Sequence, residues 1–393
     1  MSKRLPIQFN DEQLELGSSR LADLYHKLTV ELFEQMVDRL LERGTTSLTD
    51  NPYIWQLEKL NQMHALNEHN LKVISKYTDI TEEQLRNVIE SEGLKIYTDT
   101  KSQLLEDLNK DPHFDTSHVQ KQLEAYLEQA SGDIDNLINT TLPNVVNEVY
   151  RNIAKETVAK VATGVATPDK AIAETIMKWQ EVGFRGFKDR GGKNWRIDNY
   201  ARTVVKTTTR RVYRQMRTQP ADELGIDTFY YSKKATAREA CAPLQHHIVT
   251  YGEAREEGGY SVLSLADHGY GTPGGCLGIN CGHYLTPFVI DVNDMPDLGD
   301  DVKNITPEDA IRNANAQAKQ RALERSIRDS KEKLHIANKL GDKDLIDKYK
   351  SKIRTQQGAM RDFLKDKPWL HRDYAREKYH KGPYTDAKKE VKV

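Results

Sequence analysis

The stretch from Cys241 to Phe288 constrains this chain most. It holds all three cysteines of the protein, four of its histidines and a dense run of glycines, while the sequence on either side is typical of polar helices. Glycine loses more conformational freedom on folding than any other residue, so such a stretch needs strong local fixing. We expect a small irregular module that carries cysteine and histidine between helical flanks.

A structural metal site is the sharpest chemical hypothesis for this stretch. The candidate ligands are Cys241, Cys276, Cys281, His246, His268 and His283. If Cys281 and His283 lie on one strand, their side chains point to the same face and can share an ion. Zinc contributes most to stability in a glycine-rich loop that has little core of its own. We therefore predict one zinc per chain, bound by Cys241, Cys281, His283 and one of the other three candidates.

Three alternatives compete with zinc at these residues. The cysteines can be small buried apolar side chains, with the histidines hydrogen-bonded or solvated. A cysteine nucleophile with a histidine base would use Cys241 with His246 or His268, but no cysteine-protease signature surrounds them. A histidine-based metal nuclease would draw on His246, His247, Asp267 and His268. Motifs of the forms GxxxxGK[ST], HExxH and GxSxG do not occur, so the glycine run is not a nucleotide cradle.

A local basic cluster is the candidate nucleic-acid surface. Its cations, with Arg196 just before them, are Arg202, Lys206, Arg210, Arg211, Arg214 and Arg217. Asp198 is the one acidic residue among them, and Arg202, Lys206 and Arg210 share a helix face at four-residue steps. Such a helix can contact phosphates. The alternatives are a solvated face or pairing with the acidic segment 291–301, and no motif predicts sequence-specific reading.

The overall composition restricts the kinds of partner that this chain can bind but does not identify one. The 393 residues carry 58 Lys and Arg against 59 Asp and Glu, a formal net charge of -1, so any basic surface must be local. An odd number of cysteines in one segment argues against a disulfide framework and for reduced thiols in a cytosolic setting. We expect neither a membrane span nor a secretory signal, because no long apolar run occurs.

Residues 1–162 are predicted to form an elongated helical arm, because apolar residues recur there at three- and four-residue steps. The first helix, over residues 18–43, carries the series Leu21, Leu24, Leu28, Leu32, Met36 and Leu40. Asn51–Pro52 opens a second helix. Thr81 to Gln84 form a capping box, which predicts a helix that starts there and ends near Ser91. Helices are also expected over 116–130 and 145–162.

Residues 163–292 are predicted to form a compact central α+β domain. Its expected elements are a helix from Thr167, a β-hairpin over 187–194, a long helix over 200–216, and strands from Asp227 and over 283–290. Residues 293–380 should form a C-terminal helical hairpin that begins at Thr306–Pro307 and turns at Gly341. A mobile charged tail should follow over 381–393. The predicted fold class is therefore mainly α, with a small central α+β domain, a long helical N-terminal arm and a C-terminal helical hairpin.

In order and spacing, several segments resemble one known family. They are TGVATPDKAI (163–172), GFKDRGGKNWRIDNYARTVVKTTTRRVYRQ (186–215), CAPLQ (241–245), CLGINCGHYLTPF (276–288) and QRALERSIRDSKEKL (320–334). The chain resembles the type 2 minor capsid proteins of tailed phages that infect Gram-positive bacteria, which are relatives of the Mu-type head morphogenesis proteins. The similarity extends over essentially the whole chain and is strongest over 163–335.

The resemblance implies a virion component and not an enzyme. It implies assembly in the bacterial host cytoplasm, a place inside the head, and contacts with the portal protein, the major capsid or scaffold protein and packaged DNA. It also implies roles in head assembly and genome delivery. One departure is that this chain has Gly282 where the family often has an arginine. The competing hypotheses are a metal- or cysteine-dependent hydrolase, either a nuclease or a peptidase, and a non-specific DNA-binding accessory protein.

Overall fold

A computed structural model describes residues 4–42, 44–188, 192, 194–279, 281–367, 369–374 and 376–378. The described chain divides into two compact units, each assembled from three separate stretches of sequence. Unit 1 comprises residues 1–18, 85–130 and 205–320, and unit 2 comprises residues 19–84, 131–204 and 321–393. The division predicted from the sequence, into 1–162, 163–292, 293–380 and 381–393, follows the order of the chain and stays a prediction. The predicted mobile tail over 381–393 lies outside the described residues.

Helices dominate the structure and confirm the predicted fold class. They are α1 (Asp11–Leu41), α2 (Thr46–Asp50), α3 (Pro52–Asn61), α4 (Met63–Arg86), α5 (Glu92–Asp107), α6 (Ser117–Asp135), α7 (Leu142–Ala162), α8 (Pro168–Val182), α9 (Ile197–Leu224), α10 (Asp300–Lys303), α11 (Pro307–Leu340) and α12 (Lys343–Lys365). Two π-helical turns, Asn87–Ser91 and Asn136–Thr141, precede α5 and α7. In unit 2, α7 packs on α3 and α8 through a stripe that includes Val146, Tyr150 and Ile153.

The strands form a hairpin in unit 2 and a mixed sheet in unit 1. They are β1 (Arg185–Lys188), β2 (Asn194–Arg196), β3 (Thr228–Tyr231), β4 (Ile248–Thr250), β5 (Arg255–Glu257), β6 (Tyr260–Ser264) and β7 (Leu285–Pro287). β1 and β2 pair antiparallel, as the predicted hairpin requires. The five-stranded sheet has the order β5-β6-β4-β3-β7, with β4 and β6 parallel and the other neighbours antiparallel.

The centre of this sheet is closed to solvent on both faces. Every residue of β3, β4 and β7 is buried. Phe229 of β3 lies opposite Val249 of β4 and Pro287 of β7. One apolar cluster of unit 1 includes Phe229 and Val249 together with all three cysteines. The cysteine-bearing loops therefore pack on the sheet and form part of its core.

Short-range sequence patterns predicted several helix ends correctly. The Asn51 side chain accepts a hydrogen bond from the N–H of Ile54, so it caps α3 as predicted. Thr306 and Asp309 cap α11 reciprocally: the Asp309 N–H donates to Thr306 Oγ1, and the Thr306 N–H donates to an Asp309 carboxylate oxygen. Gly341, with φ +67°, ends α11 in the left-handed conformation that favours glycine. The predicted C-terminal helical pair is confirmed.

One helix start was wrong. Thr81 does not begin a helix, because α4 runs through it without interruption to Arg86. Its hydroxyl donates to the carbonyl of Thr78 within the helix, as threonines in helix interiors do. Buried Ile80 and Leu85 continue the apolar stripe of α4 across the proposed boundary. Tertiary packing therefore outweighs the capping pattern at this point.

None of the helices in the described residues combines the length and the apolar character that crossing a bilayer requires.

Candidate metal centre and basic helix

Cys241, Cys281 and His283 meet at one point in unit 1. Cys241 directly precedes a short 3₁₀ turn, Ala242–Leu244, and its N–H donates to the carbonyl of Arg238. The Cys281 N–H donates to the carbonyl of Gly278, which closes a tight turn beneath the thiol. His283 follows two residues later, just before β7. Two short turns and the approach to a strand therefore position the three side chains.

The geometry of this group is tight and its side chains are buried. The three ligand atoms lie within 4.8 Å of one another. The two sulfurs are 3.6 Å apart, and the Cys281 sulfur is 3.4 Å from His283 Nδ1. All three side chains are buried and the cysteines are free thiols. Cys281 and His283 do not share a strand, because β7 begins only at Leu285.

Cys281 is the more acidic thiol of the pair. The hydrogen bond from Cys241 lowers the pKa of Cys281, and contact with His283 adds to this against the opposing effect of burial. The pKa of Cys241 is raised for the complementary reason, because its proton is held by Cys281 and the site is desolvated. The group is thus arranged to hold negative charge on Cys281 sulfur.

The other three predicted ligands point elsewhere. Cys276 Sγ donates a weak hydrogen bond of 3.5 Å to the carbonyl of Leu265, and burial raises the pKa of this thiol to about 11. His246 Nδ1 is 3.2 Å from the Tyr230 hydroxyl. His268 closes a second 3₁₀ turn, Ala266–His268. In the described part of the chain, the group of three close ligands includes none of them.

A hollow in unit 1 opens beside this group and is rich in cations. Its charged walls come from Arg210, Arg214, Arg217 and Lys234, and Cys281, Gly282 and His283 form one side. A Cβ atom added at Gly282 would lie 3.5 Å from Lys234 Nζ, an ordinary contact distance. A lysine therefore lies next to the position at which an arginine is expected from the resemblance.

The predicted basic helix is real, but its cations have different environments. Arg202 forms an ion pair with Asp23. Arg211 is exposed, with its guanidinium 4.9 Å from the centre of the Tyr126 ring. Lys206, Arg210 and Arg214 are half-buried.

Arg217 is only 1% exposed, so it is the one least available to a nucleic acid. Its guanidinium lies 4.5 Å from the ring centre of Phe9 and 4.6 Å from that of Tyr284. Both contacts are within the range of cation–π attraction.

Sequence reasoning missed a buried ionic network in unit 2. His26 Nδ1 is 2.8 Å from a carboxylate oxygen of Asp198, and His26 Nε2 is 2.8 Å from one of Glu332. Arg196 donates to both oxygens of Asp198 at 3.2 Å. The partners of His26 are 172 and 306 residues away in sequence. The only local sign was that Asp198 stands alone among cations.

Comparison with known proteins places the chain among virion proteins. Residues 9–365 match the family described as Phage minor capsid protein 2. A structural protein of Lactococcus phage LL-H is 31% identical over 371 residues, which are 91% of this chain and 98% of that protein. A structural protein of Lactococcus phage mv4 is 38% identical over 117 residues, 29% of this chain and 89% of that protein. No solved structure matches the chain. Because the match extends over nearly the whole length, this chain belongs to the phage minor capsid protein 2 family.

Proposed function

We propose that this protein is a minor head protein of a tailed phage, attached to the portal or to the inner surface of the capsid. In this role it binds other virion proteins, such as portal, major capsid or scaffold protein. It aids head assembly and remains with the packaged genome until delivery. Family membership supports a structural role, and one surface of unit 2 supports action through protein contacts.

The observation that carries the proposal is the orientation of α3, which exposes apolar side chains and buries a lysine. Tyr53, Ile54 and Leu57 point outward with 66%, 51% and 61% of their surface exposed. The inward face carries Trp55 and, at 2% exposure, Lys59. An amphipathic helix normally buries its apolar residues and exposes its lysines.

Lys59 is buried for a clear reason. Its ammonium group donates to the carbonyls of Arg39 and Glu42 at 3.0 and 2.7 Å, which caps the C-terminal end of α1. This contact and Trp55 fix which face of α3 points inward, and three large apolar side chains are left outside. Adjacent exposed apolar residues of this kind mark protein contact sites, so we assign this face to a virion partner.

Replacing Leu57 with aspartate should reduce incorporation into the virion. A charge in the middle of a docking face costs at least about 1.4 kcal/mol, which is about tenfold in binding. The copy number per purified particle, measured against the major capsid protein, should fall about tenfold. Val165→Asp is the matched control, because Val165 is 74% exposed and lies outside the patch. Wild-type incorporation of the Leu57 variant would refute this docking face.

The hydrolase alternative is disfavoured by access. A nucleophilic thiolate must reach its substrate, but Cys241, the cysteine of the predicted Cys–His pair, is 0% exposed. This burial suits a folding role better than turnover. We therefore include the absence of catalysis in the proposal.

Contact with packaged DNA is a second proposal, favoured by the cation-lined hollow of unit 1. Arg210, Arg214 and Lys234 converge there, and a phosphate backbone would release counterions on binding them. The affinity for duplex DNA should fall with salt, and Arg214→Ala should reduce the slope of log affinity against log salt by about 0.9. Lys110→Ala, an exposed lysine of the same unit, serves as the control. Salt-independent binding, or an equal effect of both variants, would count against this contact.

A further inference from the structure

Two of the distances between the three ligand atoms are close to those of a tetrahedral zinc site. Zinc–sulfur and zinc–nitrogen bonds of about 2.3 and 2.1 Å place neighbouring sulfurs about 3.8 Å apart, and a sulfur and a nitrogen about 3.6 Å apart. The Cys241 and Cys281 sulfurs are 3.6 Å apart, and Cys281 Sγ is 3.4 Å from His283 Nδ1. A disulfide would require about 2.0 Å between the sulfurs.

The hydrogen bonds of Gln245 fix the tautomer of His283. Gln245 Oε1 accepts from the backbone N–H of Lys234 at 2.6 Å, which identifies that atom as the amide oxygen. The same oxygen is 3.2 Å from His283 Nε2, so this nitrogen must donate its proton. When the ring is neutral, as it must be to bind a metal, its lone pair is then on Nδ1, the atom that faces Cys281. Histidines that bind metals are held in this way, with the remote N–H bonded to an oxygen.

A buried tyrosine adds a hydrogen-bond donor beside the three ligands. Tyr231 is fully buried, and the Cys241 sulfur is the neighbour to which its hydroxyl can donate. The ring centre of Tyr231 is 5.2 Å from that of His283. The cysteines are its electrostatic neighbours. With a metal bound, the Cys241 thiolate would accept a hydrogen bond from this hydroxyl.

From these observations we propose a zinc site formed by Cys241, Cys281 and His283, with a water molecule in the fourth position and Tyr231 donating to the Cys241 thiolate. Two thiolates and an imidazole select zinc among the common divalent ions. Gln245 is a positioning residue that orients the imidazole. Cys276, His246 and His268 take no part. The ion would fasten the turn at Cys241 to the segment before β7, within the core of unit 1.

Cobalt binding by the full-length protein tests the site directly. The protein is purified under reducing conditions, stripped with a chelator and titrated with Co²⁺. We expect one equivalent to bind with the visible absorption of tetrahedral cobalt and a thiolate-to-metal charge-transfer band. One equivalent of Zn²⁺ should remove both signals and raise the unfolding temperature. Absence of the charge-transfer band at micromolar protein and metal would overturn the proposal.

Matched alanine variants distinguish the ligands from the third buried cysteine. Cys241→Ala and Cys281→Ala should each weaken binding by at least about 100-fold, whereas Cys276→Ala should keep the affinity and the spectrum. Gln245→Ala should weaken binding by about 10–100-fold and leave the charge-transfer band in place, because it removes orientation and not a ligand. An equal effect of the Cys276 and Cys281 variants would refute the assignment. The spectrum of the wild-type protein decides the question even where a variant does not fold.

Discussion

Replacement of His26 by alanine should lower the free energy of unfolding by about 3–5 kcal/mol, the cost of breaking a buried ionic network by removing one partner. His26 bridges Asp198 and Glu332 at 2.8 Å on each side, and all three residues are buried. Without the imidazole, two carboxylates share a desolvated space with Arg196 as the nearest cation of Asp198. Calorimetric unfolding of the full-length protein measures the loss.

A double-mutant cycle tests whether repulsion between the two facing carboxylates causes the loss of stability in His26→Ala. In the wild-type protein Glu332→Gln should destabilise, because it removes a partner of His26. In the His26→Ala background the same change removes one of two facing negative charges, so it should cost less or even stabilise. His113→Ala is the surface control, since His113 is exposed and pairs with Asp111 at 2.7 Å. Additive effects of the two buried changes would contradict the network.

The network also predicts the pH dependence of stability. Burial alone would lower the pKa of His26, but its hydrogen bonds to Asp198 and Glu332 outweigh this and raise it. A raised pKa in the folded state stabilises fully below the unfolded value of about 6.5, and the benefit is lost as pH rises through the folded pKa. The stability gap between wild type and His26→Ala should therefore narrow from neutral pH upward.

At low pH, protonation of the Asp198 and Glu332 carboxylates limits the stability of the folded protein. Burial would raise the pKa of Asp198 and that of Glu332, but the hydrogen bond from His26 and the nearby arginines lower both in the folded protein. Their contribution is present above the unfolded values of about 4 and is lost as pH falls through the folded pKa. The wild-type unfolding temperature should thus be highest between about pH 5 and 6.5.

The features of the fold that were predicted correctly are those that depend on residues close together in the sequence. The cap at Asn51, the reciprocal cap of Thr306 and Asp309, and the stop at Gly341 each depend on neighbours at most four positions away. Thr81 failed because burial of Ile80 and Leu85 favoured a continuous helix, and burial is not a local property. The His26 network joins residues up to 306 positions apart and has no local pattern.

In the candidate metal site, too, the local features could be predicted from the sequence and the long-range ones could not. The spacing of Cys281 and His283 was sufficient to predict that they meet, although a turn and not a strand brings them together. Cys241 is 40 residues from Cys281, and its choice over Cys276 depends on how two turns pack on the sheet. Gln245 and Tyr231 were not predicted, because their roles come from one orienting hydrogen bond and one buried hydroxyl.

In the cysteine-bearing loop, alanine at Gly275 and alanine at the neighbouring Gly274 should change the free energy of unfolding in opposite directions. A Cβ atom at Gly275 would lie 1.8 Å from the carbonyl oxygen of Gly269, which is backbone and cannot rotate away. The loop is closed at this point by the N–H of Cys276, which donates to the carbonyl of His268 at 2.9 Å. In Gly275→Ala the new Cβ must push the backbone at Gly269 away from that at Gly275 and displace Cys276. The free energy of unfolding should fall by about 3 kcal/mol.

Gly274→Ala is the matched control and should not destabilise. No atom lies within 4 Å of a Cβ at Gly274 among the described residues, and its φ is not positive. Alanine there reduces the freedom of the unfolded chain, so it should stabilise by about 0.4–1 kcal/mol. Chemical denaturation of both variants beside wild type measures the difference. Because the two sites differ by one position in a single loop, a similar loss for both would mean that the close approach at Gly275 does not exist in solution. Opposite signs would establish that glycine is required there by contact and not by flexibility, which makes the loop a rigid part of the unit 1 core.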